Sequence, residues 1–522
     1  MTARIAGGTL LFTLLAAGAA PAQQSAPAGL DAFVAQVMKR FEVPGLALTI
    51  VKDGQVVVAR GYGVREMGKA ALVDSQTTFG IASNTKAFTA TALGMLVEEG
   101  KIQWDAPVVR YLPAFALSDP FVTNQMTVRD LLVHRSGLGL GAGDLLWWPT
   151  STYNREEIMQ RLRYIPLATS FRSAYAYDNV LYLVAGEVIK AVSGKTWEEF
   201  VQSRIITPLQ MTDTKVLTSS AAGTGNVAKT HAPIDGVVRP IVPFTSDNTD
   251  PAGGINASAR DMAKWLMVQL DSGRTGATRL FQATTTRQLW TLVTPIPFGI
   301  NPQTPPALRR NFLGYALGFQ VEDYRGRKLV SHTGGLPGYT SMVAMIPDIK
   351  LGVSVLTNQE SGAAWTTIVR WIVDQYMHAS DVDWAAILAP PPATAAAPAL
   401  EKPLGPPRDS TSKPSLPLAA YACTYTDPWY GDVSIKLEGE KLVMRMLHTP
   451  GLTGELEHWQ HDTFVARWRD REMRADAFVS FSLNPDNTID QIKMRKFLNS
   501  TDFSFDFQDL LLKRVPANRQ CN

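Results

Sequence analysis

Three short stretches carry side chains that together could perform acyl transfer. Ile81-Ala82-Ser83-Asn84-Thr85-Lys86 opens a predicted helix. Residues three apart share a helix face, so the Lys86 amine reaches the Ser83 hydroxyl. A serine hydroxyl is a poor nucleophile until a base takes its proton, and a lysine can be that base only where burial or nearby positive charge lowers its pKa. The helix start also offers free backbone N–H groups to a developing oxyanion. Tyr177-Asp178-Asn179 places a phenol and an amide two positions apart. The phenol can relay a proton beside a Ser–Lys pair, and the amide can orient the lysine or a substrate. His332-Thr333-Gly334-Gly335 ends a predicted strand, whose edge can present backbone N–H and C=O groups.

Taken singly, each stretch has an ordinary reading. Ser-x-x-Lys recurs at Ser410 and Lys413, in a Pro-rich segment where no scaffold would position it. A tyrosine such as Tyr177 is usually a surface-loop residue, and a lone histidine such as His332 is more often structural than catalytic. Only their order along one chain gives them weight together.

The elements that must position these residues run from about Leu30 to Ser380. Leu46 to Val51 and Val56 to Arg60 flank Lys52-Asp53-Gly54, a hairpin signal. A mainly helical stretch follows from about Asn84 to Trp290, with Ala87, Ala90, Leu93 and Leu96 at helical spacing. Thr127-Val128-Arg129-Asp130 and Ser258-Ala259-Arg260-Asp261 read as capping boxes that open helices. Strands are expected at Ala316 to Val321, Lys328 to His332, Ser341 to Ile346 and Val353 to Thr357, and a closing helix at Trp365 to Met377. The order strands, helices, strands, helix predicts an α+β unit: one antiparallel sheet formed by the two ends, an inserted helical block, and a cleft where they meet. Ala389 to Leu418, with Pro390-Pro391-Pro392 and an Ala-rich run, has the composition of a linker. Tyr421 to Arg514 alternates short β-type runs with turn signals and predicts a small antiparallel sheet or barrel. The expected boundaries are 1–22, 23–385, 386–418 and 419–517.

Composition narrows the class. The chain has 522 residues, 45% of them hydrophobic, and a formal net charge of +3. That length suits two units, and so small a charge argues against nucleic acid or an anionic membrane as the main partner. Arg4, the apolar run Ile5 to Ala20 and the small residues Ala20-Pro21-Ala22 form the pattern of a secretory signal cleaved near residue 22. The mature protein is therefore expected to be periplasmic or secreted, without stable membrane insertion. The two cysteines, Cys423 and Cys521, have neither the spacing nor the company of a metal site.

Ser-x-x-Lys at Ser83, Tyr-x-Asn at Tyr177 and His-Thr-Gly at His332, in that order, resemble the penicillin-recognising serine hydrolases, and within them the class C β-lactamase-related family. Val43-Pro44-Gly45, Leu131-Leu132-Val133-His134-Arg135-Ser136-Gly137-Leu138, Ala252-Gly253-Gly254-Ile255 with Asp261, and Leu356-Thr357-Asn358 extend the resemblance across residues 30 to 380. It implies the β-lactamase/transpeptidase-like fold. It also implies Ser83 as an acylated nucleophile, Lys86 and Tyr177 as proton-transfer groups (which of them is the base stays open), and Asn179 as a hydrogen-bond partner of Lys86 or substrate. The backbone N–H groups of Ser83 and Gly335 would form the oxyanion hole, with His332 and Thr333 on the substrate-binding strand. No metal or other cofactor is implied; the partner is a small-molecule or peptide substrate. His134 is left as structural. β-Lactamases usually have a lysine where this chain has His332, so the resemblance favours a peptidase, including one for D-amino-acid peptides, or an esterase. The alternatives are a β-lactamase, or a penicillin-binding sensor that is acylated without turnover. A histidine there, if protonated, would attract a substrate carboxylate and so make acidic substrates pH-dependent. The C-terminal segment is similar to the small β-rich, lipocalin-like domains appended to such hydrolases. Its first and last strands should be neighbours, so a Cys423–Cys521 disulfide is expected.

Overall fold

Gly45–Lys52 (GLALTIVK) reads as one apolar run because helices cover both of its faces. Leu46, Leu48 and Ile50 pack with Val34, Val37, Ile368 and Ile372, whereas Ala47 and Val51 belong to the cluster that includes Trp265 and Leu266. Period-two alternation is thus present in the packing although both sides are apolar. The strand turns into Gln55–Gly63 through Asp53 and Gly54, with φ of 51° and 75°. Two consecutive positive φ values are what a twisted two-residue hairpin loop requires.

The computed structural model describes residues 25–299, 309–379, 381–384 and 401–515, with single positions 1, 306 and 386. Apart from Met1, the expected signal segment lies outside the described residues. The sheet has eight strands, in the spatial order Gln55–Gly63, Gly45–Lys52, Leu351–Thr357, Tyr339–Ile346, Arg327–Leu336, Gln320–Tyr324, Leu313–Tyr315 and Thr294–Pro295. The N-terminal hairpin joins the C-terminal strands directly, with Leu46 opposite Thr357. The two ends of the α+β unit therefore form one sheet. Leu30–Arg40 and Gly362–Tyr376 cover one face, Ala259–Leu270 the other. Among the described residues no helix is long and apolar enough to cross a membrane.

Within the α+β unit several elements differ from the sequence reading. A helix, Leu30–Arg40, precedes the first hairpin; Leu30, Val34, Val37 and Met38 are its buried stripe. The expected strand at Ala316 to Val321 instead begins at Gln320, because the chain turns at Gly318, whose φ is +76°. Thr127 and Asp130 exchange the hydrogen bonds of a capping box, yet only one 3-10 turn, Asp130–Leu132, follows. Two residues later His134 adopts φ +55° and ends any helix. At Ser258 the box is half made: Ser258 caps Ala259–Leu270, but the Asp261 carboxylate turns to the backbone of Asp213 and Thr214.

The C-terminal unit is a closed eight-stranded barrel, from Cys423–Asp427 to Leu511–Arg514, with these first and last strands paired. Tyr421, Tyr425, Phe464 and Phe481 form an edge-to-face aromatic cluster within it. Residues 401–418, expected as linker, lie along this barrel: Leu404 N donates to Phe497 O, and Trp459 Nε1 donates to Pro406 O. Pro390-Pro391-Pro392 and Cys521 lie outside the described residues, so the expected disulfide does too; Cys423 itself is buried at the start of the first barrel strand.

Gly318 ties the sheet to the helix that follows Ser83. A Cβ there would sit 2.6 Å from the Lys86 carbonyl oxygen and 3.0 Å from its carbon, on a backbone already in the left-handed region. Gly318→Ala should therefore lower stability by about 1–3 kcal/mol in urea denaturation. An unchanged midpoint would show that the turn relaxes freely.

Candidate active site

The Ser83 region starts from a strained residue. Ala82 has φ +49° and is fully buried, a conformation that a non-glycine residue keeps only when its surroundings hold it. They do so from both sides. Ile81 N donates to Ile255 O at 2.9 Å, and Ile81 O accepts from Ser341 Oγ at 2.7 Å. Asn84 Nδ2 donates to the same Ser341 Oγ at 2.8 Å. Gly334 lets the strand approach this turn, because a Cβ there would lie 2.2 Å from Ile81 O. The 3-10 turn Ala82–Asn84 then runs into the helix Thr85–Glu98, leaving Ser83 half-buried at its start.

Lys86 is fully buried on the first turn of that helix. Its Nζ lies 3.0 Å from Ser83 Oγ, 2.7 Å from Asn179 Oδ1 and 3.0 Å from Ala252 O. Burial lowers its pKa to about 7, against an upward pull from Asp144 and Asp178. That pull is limited, because burial also raises these two carboxyls, Asp144 to about 8 and Asp178 to about 7. Burial holds the Tyr177 pKa above the usual phenol range, against a smaller downward pull from the Ser83 side chain. Lys86 Nζ lies 5.0 Å from the Tyr177 ring and 5.1 Å from the Tyr182 ring.

Asn179 stands at the N-cap of Val180–Ser193, yet its side chain makes no cap. Its Oδ1 accepts from Lys86 and its Nδ2 donates to Asp144 Oδ2 at 2.9 Å. The group that would normally serve its own helix has been diverted to the lysine. His134, left as structural, accepts from Asp178 N at 3.2 Å, and its ring lies 4.2 Å from that of Tyr177. It underlies the phenol.

His332 differs most from the sequence reading. It lies inside Arg327–Leu336 rather than at a strand end, and is 2% exposed. Its Nδ1 donates to Thr333 O at 2.6 Å, which leaves Nε2 to accept from the Tyr315 hydroxyl, also at 2.6 Å. Burial first and the nearby Lys86 charge second push its pKa down to about 3. The ring is therefore neutral throughout the physiological range, and the expected carboxylate-attracting switch is absent for that reason. Gly335, two residues past Thr333, faces open space. It borders a chamber of about 610 Å³ whose walls are mixed, with Trp148, Phe244, Leu336 and Phe505 beside the charged Glu360, Arg474 and Asp502.

The structure thus brings Ser83, Lys86 and Asn179 into one hydrogen-bonded cluster with the Tyr177 ring beside the amine, and sets His332, Thr333 and Gly335 along the adjoining strand. Sequence reasoning missed Asp144 and Ser504. Ser504 belongs to the barrel, and its Oγ donates to Asp144 Oδ2 at 2.7 Å. Gly141-Ala142-Gly143-Asp144 carries no periodic signal, and nothing in the sequence links it to a residue 360 positions away. Phe503, beside Ser504, meets the Tyr177 ring edge-on at 6.0 Å.

Residues 30–374 match the protein family described as Beta-lactamase, and residues 407–514 match a domain of unknown function, DUF3471. The chain is 30% identical over 458 residues to a protein of Aspergillus violaceofuscus named unguisins hydrolase ungD, covering 81% of this chain and 79% of that one. It is 25% identical over 340 residues to protein flp of Staphylococcus aureus, covering 64% of this chain and 63% of the relative. Among solved structures it resembles the octameric penicillin-binding protein homologue of Pyrococcus abyssi, with a TM-score of 0.57 at 22% identity over 90% of this chain and 98% of that one. It also resembles the D-amino acid amidase of Ochrobactrum anthropi SV3, with a TM-score of 0.56 at 22% identity over 67% and 99%.

The His332 ring should not titrate between pH 5 and 9. Imidazole resonances followed by NMR should stay at their neutral-form positions for His332 across that range. A midpoint near the ordinary histidine value would refute the buried, doubly bonded ring.

Proposed function

The chain belongs to the beta-lactamase family, and we propose that it is a serine hydrolase that cleaves an amide or ester through an acyl-enzyme on Ser83. The observation that carries this reading is a desolvated lysine amine 3.0 Å from a serine hydroxyl, with its pKa lowered to about 7. At neutral pH a large fraction of Lys86 is then uncharged and can accept the Ser83 proton as the oxygen attacks the substrate carbonyl. Tyr177 stays protonated, because burial raises its pKa. On this reading Lys86 is the base, and Tyr177 passes a proton to the leaving group. In deacylation the same groups work in reverse on a water molecule. The backbone N–H groups of Ser83 and Gly335 would hold the oxyanion.

The substrate reading follows from the strand. A β-lactam or other carboxylate-bearing substrate gains from a cation beside the site, and here that position holds a neutral His332. The aromatic part of the chamber next to Gly335, formed by Trp148, Phe244 and Phe505, suits a bulky apolar group adjoining the scissile bond. We therefore favour a peptidase, including one for D-amino-acid peptides, or an esterase, over a β-lactamase; the relative named as an unguisins hydrolase supports hydrolysis. The N-terminal segment adds the proposal that the protein is exported and acts in the periplasm or outside the cell.

Ser83→Ala should abolish turnover and labelling by a serine-reactive phosphonate, and Ser410→Ala should change neither. Lys86→Arg keeps the charge but cannot readily lose a proton; it should slow acylation by about 10²–10⁴-fold. In the unaltered protein kcat/KM should fall as pH drops through about 7, because protonated Lys86 has no lone pair to offer. The measurement is a panel of D-amino-acid peptides, short acyl esters and a chromogenic cephalosporin. Near-normal activity of Ser83→Ala would sink the proposal.

A further inference from the structure

Neutral Lys86 has a geometric problem of its own. An uncharged amine has two N–H bonds and one lone pair, and three acceptors surround Nζ. The lone pair faces Ser83 Oγ only if both N–H bonds are taken by the other two, Asn179 Oδ1 and Ala252 O. Ala252 O is a backbone atom and cannot reverse. Asn179 can: rotating its amide by half a turn would put –NH2 against Lys86 and swing the amine lone pair away from Ser83.

What fixes that amide is the group on its far side. Asn179 Nδ2 donates to Asp144 Oδ2, and the same oxygen is bonded to Ser504 Oγ of the barrel. Asp144 is buried beside two further carboxyls of the same barrel segment, Asp502 and Asp506, and its own carboxyl stays protonated near neutrality. A protonated Asp144 could donate to the oxygen of a reversed Asn179. Ser504 works against this. If its hydroxyl donates to Oδ2 as the carbonyl oxygen, or if a proton on Oδ2 is directed to Ser504 Oγ, Asn179 meets an acceptor. A reversed amide needs the remaining arrangement, in which the protonated Oδ2 donates to Asn179 while accepting from Ser504, and a carboxylic hydroxyl oxygen is a weaker acceptor than the carbonyl oxygen. The barrel segment is itself clamped to the turn that carries Asp144: Asp506 Oδ2 and Oδ1 accept from Gly143 N at 2.7 Å and Leu145 N at 3.0 Å.

We propose that Ser504, acting through Asp144 and Asn179, is a positioning residue for the Lys86 lone pair, so that the barrel completes the proton-transfer apparatus of the other unit. The proposal rests on the reading of Ser83 and Lys86 given above. It also separates positioning from substrate binding, because Ser504 acts on the base and not on the ligand.

The test uses the full chain. Ser504→Ala should lower kcat and the maximal rate of phosphonate labelling by roughly two- to tenfold, the effect of one net hydrogen bond, with KM unchanged. Ser504→Thr, which keeps a hydroxyl, should restore both. In a double-mutant cycle, Ser504→Ala should have no further effect once Asp144→Leu has removed the carboxyl. A change confined to KM would make Ser504 a cleft wall and overturn the proposal. So would unaltered kcat and labelling in Ser504→Ala, or multiplicative losses in the cycle. If Asp144→Leu fails to fold, the Ala and Thr variants at 504 decide alone. Labelling that survives Ser83→Ala would instead defeat the underlying reading, a different outcome from any of these.

Discussion

The structure turns on keeping one amine uncharged in a dry place. Lys86 has no exposed surface, and the carboxyls nearest to it, Asp144 and Asp178, are themselves pushed toward their neutral forms. A firmly ionised carboxylate in direct contact would hold the lysine protonated; here the direct contacts are an amide oxygen, a backbone carbonyl and a hydroxyl. Neutral acceptors satisfy the amine without fixing its proton. The tyrosines around it serve the same end, since the rings of Tyr177 and Tyr182 exclude water while contributing no charge.

The rest of the fold can be read as the means of supplying those neutral contacts. The helix Thr85–Glu98 carries Lys86 and is buried over nearly its whole length, so the amine has no path to solvent along its own helix. Thr89, one turn on, donates to Pro251 O and accepts from Trp197 Nε1, which seats the Asp250–Gly253 turn against the helix and brings Ala252 O to the amine. The sheet sets the opposite wall, where Gly318 and Gly334 leave room for the Lys86 and Ile81 carbonyls. Each of these contacts joins segments far apart in the chain, which is why the site needs both halves of the α+β unit.

What was legible in the sequence follows from the range of the interactions. Ser83 and Lys86 are three apart at one helix start, so their contact is local and spacing suggests it, although the same spacing at Ser410 and Lys413 leaves the order of the three motifs to single it out. Tyr177 and Asn179 were found as a motif and Lys86 as a partner of Asn179; Asp144 was not, because a hydrogen bond to it leaves no mark on the spacing of Asn179. The sheet was foreseen from alternating and apolar runs at the two ends, and the barrel from its turn signals. Boundaries failed where a single backbone conformation decides them, at Gly318 and His134. His332 was read for its chemistry, and its burial between Tyr315 and its own strand was not visible.

A site built this way works against the stability of the protein. Asp144 binds its proton up to about pH 8 when folded but only to the ordinary carboxyl range when unfolded. Between those limits the folded state holds more protons, and the contribution of Asp144 to stability falls as pH rises. Lys86 runs the other way: between about 7 and its ordinary value the unfolded chain holds the extra proton, so its contribution rises with pH. Near neutrality Asp144 is mostly protonated and a large fraction of Lys86 is uncharged, whereas water would charge both. Neither can be relieved alone, because ionising Asp144 would raise the Lys86 pKa and remove the proposed base. The opposing burden is met by the apolar packing of the Thr85–Glu98 helix and the Phe88–Trp265 stack at 3.7 Å, which do not titrate, and by the hydrogen bonds that Gly143 N and Leu145 N donate to Asp506 of the barrel. The barrel then does for the carboxyl what the sheet does for the serine turn: it holds a conformation and a protonation state that the isolated segment would abandon.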